Sequence, residues 1–365
     1  MSGDTVEKID RQKEFGGVDA VRPAHRFDEQ RLADYMAAHV EGFEGPLTVE
    51  QFKGGQSNPT YRLTARSGRY VLRRKPPGKL LPSAHAVDRE YRVIKALYDQ
   101  GFPVARPFVL CEDDSVIGTA FYIMAFADGR VFWEPAAPGI SREERAAIYD
   151  ALNAGIATLH TYDYKAIGLG DFGKPEGYVA RQIKRWSEQY KASLTRPIPE
   201  MDRLMAWLPQ ACPEQTDSSL VHGDYRLDNT IIANDRPELL AVLDWELSTI
   251  GDPVADFTYH LMQWRMPPSE IGAGVGTLVG QDFEEMGLPR LEEYVERYCE
   301  RTGRSSLPNI DFYLAYNFFR LAAIFQGIVG RVRDGTAANP KAAAMETQVE
   351  PMAKVAWDYA LKAGA

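Results

Sequence analysis

Three oxygen-bearing side chains in the second half of this 365-residue chain are spaced so that they can meet. Leu220-Val221-His222-Gly223-Asp224 reads as an apolar strand running into a tight turn. Asn229 follows five residues later, just before a second apolar stretch, Thr230-Ile231-Ile232. Leu239 to Leu243 forms another apolar strand, and it ends in Asp244, twenty residues after Asp224. Asp224, Asn229 and Asp244 therefore make a set of hard oxygen donors that includes a carboxylate base. Mg²⁺ prefers such donors and shares its shell with substrate phosphates and water. His-Gly-Asp alone is more often an ordinary strand-end turn; Asn229 and Asp244 at these offsets give the motif its force.

Charged residues nearby suggest partners for this set. Arg226, two residues after Asp224, can neutralise charge on a transferring phosphoryl group; the rival reading pairs it with Asp228. In the first half, Gly54-Gly55-Gln56-Ser57-Asn58 sits between two strand-like segments. Its backbone N–H groups and the Ser57 hydroxyl can cover phosphates. No Gly-Lys-Ser/Thr follows, so it is not a Walker loop, and alone it is a hairpin turn. Tyr70-Val71-Leu72 leads to Arg73, with Arg74 and Lys75 as rival cations. Glu90 falls beside the apolar stripe of a helix, and a carboxylate there needs a cation, which Arg73 supplies. Otherwise Glu90 pairs in water with Arg89 or Arg92.

The elements that must hold these residues divide the chain in two. Residues 1–25 read as a polar tail. Residues 26–126 carry a helix from Asp28 and strands at 47–52, 61–64 and 69–73. A helix from about His85 to Asp99 and a strand at 119–126 complete this part. Residues 127–130 form a hinge, and residues 131–365 are mainly helical, at 142–160, 177–192, 253–264, 282–302, 309–333 and 339–362. A β-rich island at 219–233 and 238–247 carries the acidic set. Asp252 and Pro253 read as the N-cap and first residue of a helix, which brings Asp256 toward the site as support. His160 reads as a helix C-terminal cap. Asp171-Phe172-Gly173 reads as a turn between helices, and Gly274-Val275-Gly276 as a loop or helix start.

Composition sets the outer limits. With 18 Tyr, 16 Phe and 6 Trp the chain can build a core, which excludes wholesale disorder. The 42 Lys and Arg against 51 Asp and Glu leave a net charge of −9, which argues against nucleic acid as a partner. Cys111, Cys212 and Cys299 are far apart, with no Cys-x-x-Cys pair, so neither a disulfide framework nor a thiolate metal site is expected. Residues 1–17 contain no apolar h-region and no run of 18 apolar residues occurs, so neither a signal peptide nor a membrane contact is expected. The expected compartment is the cytoplasm.

His-x-Asp with Asn five residues after the Asp, and a second Asp ending the next hairpin, resembles the phosphoryl-transfer arrangement of kinases. Gly223, where most protein kinases carry Arg, makes the motif similar to the aminoglycoside phosphotransferase and choline kinase group. From about Phe27 onward the chain most resembles the kinase-like domains attached to some acyl-CoA dehydrogenases. The resemblance implies an α+β, bilobal protein kinase-like fold, with a small antiparallel-sheet N-lobe, one key helix and a large helical C-lobe. It implies ATP and Mg²⁺ as cofactors and a small-molecule hydroxyl as acceptor, such as a hydroxyacid, a hydroxyacyl thioester or an aminoglycoside-like alcohol. In that reading Asp224 accepts the hydroxyl proton, Asn229 and Asp244 hold Mg²⁺, and His222 supports the loop. Arg73 and Glu90 form the phosphate-gripping pair, while Met124 and Phe126 lie against the adenine. Choline kinase-like enzymes also resemble this chain in using Arg at the position of Arg73. Lys75 and Lys79 are candidates for acceptor phosphates, and Trp264, Phe283, Tyr294, Tyr298, Tyr313, Tyr316 and Phe319 are expected to shape the acceptor cleft or fill the core. A catalytically silent nucleotide-binding regulator of the same fold is the alternative. A peptide substrate is disfavoured because Gly251-Asp252-Pro253 follows Asp244 by only seven residues, leaving no long activation segment.

Overall fold

A computed structural model of the chain describes residues 11–54, 58–76, 86–269, 276–335 and 340–365, the side chains of 340–342 excepted. Ser57 and Lys79, two of the expected site residues, lie outside these ranges, as do Gly274 and Val275.

The first part is built on alternation. A helix described over Arg11–Phe15, α1, and a two-residue strand, β1 (Val18–Asp19), precede helix α2 (Glu29–His39), so part of the segment expected to be a polar tail is folded. Strands β2 (Thr48–Phe52), β3 (Thr60–Ala65) and β4 (Gly68–Arg74) form a meander. Helix α3 (Val87–Tyr98) follows, and then β5 (Pro107–Cys111) and β6 (Phe121–Ala125). All six strands join one antiparallel sheet in the order β1-β2-β3-β4-β6-β5. Successive side chains on a strand face opposite ways, and this separates two cores. Tyr70 and Leu72 of β4 pack with Leu32 and Met36 of α2 on one face. Val71 belongs to the other face, with Tyr122, Met124 and the α3 residues Val93 and Leu97. Sequence patterning missed β5, an edge strand whose first residue is proline; an edge tolerates the missing donor.

The second part begins with β7 (Gly129–Arg130), which pairs with β9 (Thr230–Ala233), which in turn pairs with β10 (Leu239–Val242). The approach of β7 to β9 is so close that a Cβ on Gly129 would lie 2.4 Å from the Ile232 carbonyl oxygen. Strands β8 (Ser219–Val221) and β11 (Thr249–Gly251) form a second small ladder. Around them stand α4 (Arg142–Thr161), α5 (Tyr178–Ser193), α6 (Pro199–Ala211), α7 (Pro253–Leu261), α8 (Phe283–Met286), α9 (Leu291–Thr302), α10 (Ile310–Arg333) and α11 (Glu346–Lys362). The expected single helix at 282–302 is broken: Gly287 caps α8 with a left-handed φ of 68° and Pro289 follows, which prevents continuation. The expected helix from 339 instead opens with a 3-10 stretch over Pro340–Met345. Helix α10 is long and apolar enough to cross a membrane, yet 83% of its apolar window is buried in the fold. It packs against α5, α6, α7 and α11 as the central helix of the larger part.

Candidate active site

Arg73 leaves β4 on the α3 side of the sheet and ends in a cluster of acids. Its Nε lies 2.8 Å from Glu90 Oε2 and one Nη lies 2.6 Å from Asp244 Oδ1, with Glu246 at 3.6 Å. Glu90 is 1% exposed and its remaining valences are used: Asn58 Nδ2 donates to Oε1 at 2.7 Å and the Tyr122 hydroxyl to Oε2 at 3.1 Å. Burial alone would drive a proton off Arg73, but Glu90 and Asp244 outweigh it and hold the guanidinium charged. The strand period decides against Arg74. Arg74 points to the opposite face, where it donates to the Ile117 carbonyl at 3.1 Å and lies over Phe27. Glu90 proves to be part of the buried stripe of α3 together with Val93, whereas Tyr98 is exposed.

The turn after β8 is fixed from below. Asp256, on α7, accepts the backbone N–H groups of His222 and Gly223, both at 2.8 Å. His160 Nε2 is 3.1 Å from the same carboxylate, and its Nδ1 is 2.8 Å from the Tyr298 hydroxyl. His160 is thus a buried brace rather than the helix cap expected from its position. Burial favours a protonated Asp256, but the bonds from His160 and the His222 N–H outweigh it and hold the carboxyl below its ordinary range. His222 Nε2 donates to the Leu243 carbonyl at 2.8 Å, and its Nδ1 accepts the Asp224 N–H at 3.2 Å. Gly223 has φ 86°, and a Cβ there would sit 2.9 Å from both Cβ and the carbonyl oxygen of Leu247. The left-handed region favours glycine, so neither Arg nor any other side chain fits between His222 and Asp224.

This turn delivers the acidic set. Asn229 Nδ2 donates to the Asp224 carbonyl at 2.9 Å and to its Oδ2 at 3.0 Å, which leaves the Asn229 Oδ1 as an acceptor. The Leu243 N–H bonds the Asn229 carbonyl at 2.8 Å, so the segment carrying Asp244 is stitched to the loop carrying Asn229. Asp244 itself sits in the left-handed region at φ 63°, ψ 62°, a conformation that costs about 1–3 kcal/mol and concentrates at functional sites. Arg226 lies 3.5 Å from Asp228, the pairing weighed from sequence, and closer still, at 2.9 Å, to Asp224 Oδ1, a partner the sequence did not suggest. Two further residues were not singled out from sequence. Arg320 of α10, buried, donates to the Gly223 carbonyl at 2.9 Å, and burial with nearby Asp224 raises the Tyr259 hydroxyl. A charged residue inside the apolar α10 pattern was the available signal for Arg320.

Between the sheet and this loop lies a cavity of about 490 Å³. Val71, Ala105, Tyr122, Met124 and Phe126 line its upper side, and Arg73, Asn229 and Asp244 its inner end. Asp224 and Arg226 are not in its lining and join it through Asn229. The Phe126 N–H already bonds the Arg69 carbonyl at 3.3 Å, so it is not the donor a bound ring would meet. The expected acceptor-cleft aromatics are mostly core: Trp264, Tyr294, Tyr298, Tyr316 and Phe319 are each at most 2% exposed. Asp171-Phe172-Gly173 forms a turn against α3, where Arg92 pairs with Asp171 and Arg89 lies 4.1 Å over the Phe172 ring. Among the described residues no cluster of three His, Cys, Asp or Glu could hold a metal by itself. Asn229 and Asp244 are a two-donor oxygen set, which fits Mg²⁺ completed by phosphate and water.

The chain matches the model of the phosphotransferase enzyme family over residues 48–305. It is 45% identical over 337 residues to acyl-CoA dehydrogenase family member 10 of Mus musculus, covering 92% of this chain and 31% of that protein. The chain thus spans about a third of that relative. A candidate aminoglycoside phosphotransferase from Ralstonia eutropha, solved by crystallography, is 50% identical, with a TM-score of 0.83 covering 92% of this chain and 99% of its own. Spectinomycin phosphotransferase, solved with ADP and spectinomycin, shares the fold at a TM-score of 0.59 and 11% identity, covering 91% of this chain and 98% of its own. The fold is protein kinase-like.

Proposed function

The chain belongs to the phosphotransferase enzyme family, and from that premise we propose that it moves the γ-phosphoryl group of ATP onto a hydroxyl of a small molecule. One observation carries the reading: a continuous bonded chain runs Glu90–Arg73–Asp244 at the inner end of the cavity and continues through Leu243 to Asn229 and Asp224. When bound, Mg²⁺ and ATP supply the phosphoryl group and the charge neutralisation that lets it leave ADP. Asn229 Oδ1 and the Asp244 carboxylate hold the metal. Arg73, braced by Glu90, faces the phosphates, and Met124 and Phe126 flank the base. Asp224, its loop held by Asp256 and His222, takes the acceptor proton. Arg226 leaves its clasp on Asp224 to meet the developing charge, since a guanidinium at 2.9 Å would otherwise compete for the base.

For the acceptor we propose a hydroxyacid or hydroxyacyl thioester. The 45% identity to an acyl-CoA dehydrogenase family member supports this; the 50% identity to the Ralstonia protein supports an aminoglycoside-like alcohol instead. Three free cysteines favour a reducing, cytoplasmic setting. The test is ATP consumption with Mg²⁺ across hydroxyacids, hydroxyacyl-CoA thioesters, choline-like alcohols and aminoglycosides, wild type against Asp224→Asn. The variant should lose turnover and keep nucleotide binding. Turnover at the wild-type rate would remove Asp224 from the role of base.

A further inference from the structure

Residues 11–19 read from sequence as part of a polar tail, yet five of them line the cavity. At one end Val18 and Asp19 pair with Phe52 and Gln51, and the Lys53 N–H bonds the Gly17 carbonyl at 3.2 Å, which fixes the segment to the edge of the six-stranded sheet. At the other end Arg11 donates to the Trp133 carbonyl at 2.8 Å and lies 3.1 Å from Asp228 Oδ2 in the catalytic loop. The side chains of that ion pair are 8% and 9% exposed. Between these points the Phe15 ring packs on Trp133 with centroids 5.4 Å apart. Gln12, Phe15, Gly16, Gly17 and Val18 line the same cavity as Asn229 and Asp244.

The two attachments differ in kind. The sheet end is held by ladder hydrogen bonds and adjoins α2 in sequence. The helical end, over the described residues Arg11–Phe15, buries Arg11 alone. Gly16 and Gly17 separate the two ends, and Gly17 has φ 83°, so they supply a joint. Segments of this kind occupy the low end of the local stability range, from which lids are drawn.

We infer that residues 11–17 are a hinged strap over the cleft, latched by the Arg11–Asp228 pair and the Phe15–Trp133 contact, and that ligands enter and leave as the latch opens. The strap also bears on the catalytic loop. Asp228 is shared by Arg11 and Arg226. With Arg11 in place at 3.1 Å, Arg226 stands farther from Asp228, at 3.5 Å, and closer to Asp224, at 2.9 Å. The inference rests on the proposed nucleotide reading for what enters, but not for the latch itself.

Hydrogen–deuterium exchange on the unliganded full chain tests the latch, and stopped-flow binding of a fluorescent mant-ATP with Mg²⁺ tests the gate. Arg11→Ala and Phe15→Ala should each raise exchange over residues 11–19 by about tenfold while α10 stays protected, and Arg11→Lys should recover part of the protection. Both variants should speed mant-ATP association and dissociation by about tenfold, with a much smaller change in Kd. Unchanged exchange overturns the latch. Raised exchange with binding rates within twofold of wild type overturns the gate. If the wild type binds no mant-ATP, the proposed function falls, and the exchange result alone upholds or overturns the strap.

Discussion

Replacing Glu90 by Gln keeps the shape of the side chain and removes its charge, which makes it a sharp probe of the Arg73 anchor. In the native site both carboxylate oxygens only accept, from Arg73 Nε and the Tyr122 hydroxyl on Oε2 and from Asn58 Nδ2 on Oε1. A glutamine must turn its NH₂ toward one of these donor sets, so at least one donor–donor opposition appears in a place that is 1% exposed. An unmet buried donor costs about 1–3 kcal/mol, and removing one partner of a buried ion pair costs about 3–5 kcal/mol in all. At about 1.3 °C per kcal/mol for a chain of 365 residues, the melting temperature should fall by roughly 4–7 °C. Arg73→Met should cost a similar amount. The double variant should be less destabilised than the sum of the two, with a coupling of about 2 kcal/mol or more. Thermal and urea unfolding of the four proteins provide the measurement, with turnover assayed alongside. A drop under about 2 °C for Glu90→Gln, or a coupling near zero, would show that Arg73 is held by Asp244 alone and would refute the reasoning.

Two further outcomes follow from the geometry. Gly223→Ala places a Cβ at 2.9 Å from the Leu247 backbone and side chain in a left-handed residue. It should cost about 1–3 kcal/mol and slow turnover more than it weakens nucleotide binding, as kcat and Kd measurements will tell. His260, buried and held with Nδ1–H donating to the Tyr225 carbonyl and Nε2 accepting the Tyr294 hydroxyl, has its pKa pushed down to about 4 from 6.5 by burial. Between those values the unfolded chain binds the proton that the folded chain refuses. Stability is therefore full above pH 6.5 and declines as pH falls, by ~3 kcal/mol from this group at pH 4. Urea unfolding from pH 7 to 4 should show that slope, and His260→Gln should flatten it; an unchanged slope would remove His260 as its source.

Local signals made much of the site legible. The apolar runs into Asp224 and Asp244 mark strand ends, whereas Arg73 was set apart from its rival Arg74 only by the observed register of β4. Asp252 and Pro253 announce the start of α7, and with it the placement of Asp256 under the loop. What the sequence hid was long-range. Nothing in the spacing of His160 foretells that α4 brings it to Asp256, ninety-six residues away. The mostly polar run at 11–17 gave no sign that Arg11 reaches Asp228, because an ion pair across 217 residues leaves no periodic trace. The aromatic helices were legible as mostly core, and the packing of Trp264, Tyr294, Tyr298, Tyr316 and Phe319 agrees.

Helix α10 also bears on the order in which the chain is made. Among the described residues it is the stretch whose length and apolarity suit a bilayer, and its cover comes partly from α11, which is synthesised after it. Until α11 leaves the ribosome, the apolar side of α10 that faces it is bare, open to chaperones, to other nascent chains or to a lipid surface. Any expression boundary placed before Glu346 would make that passing state permanent. Helix α11 thus closes one step of a vectorial process, shielding α10 soon after that helix emerges.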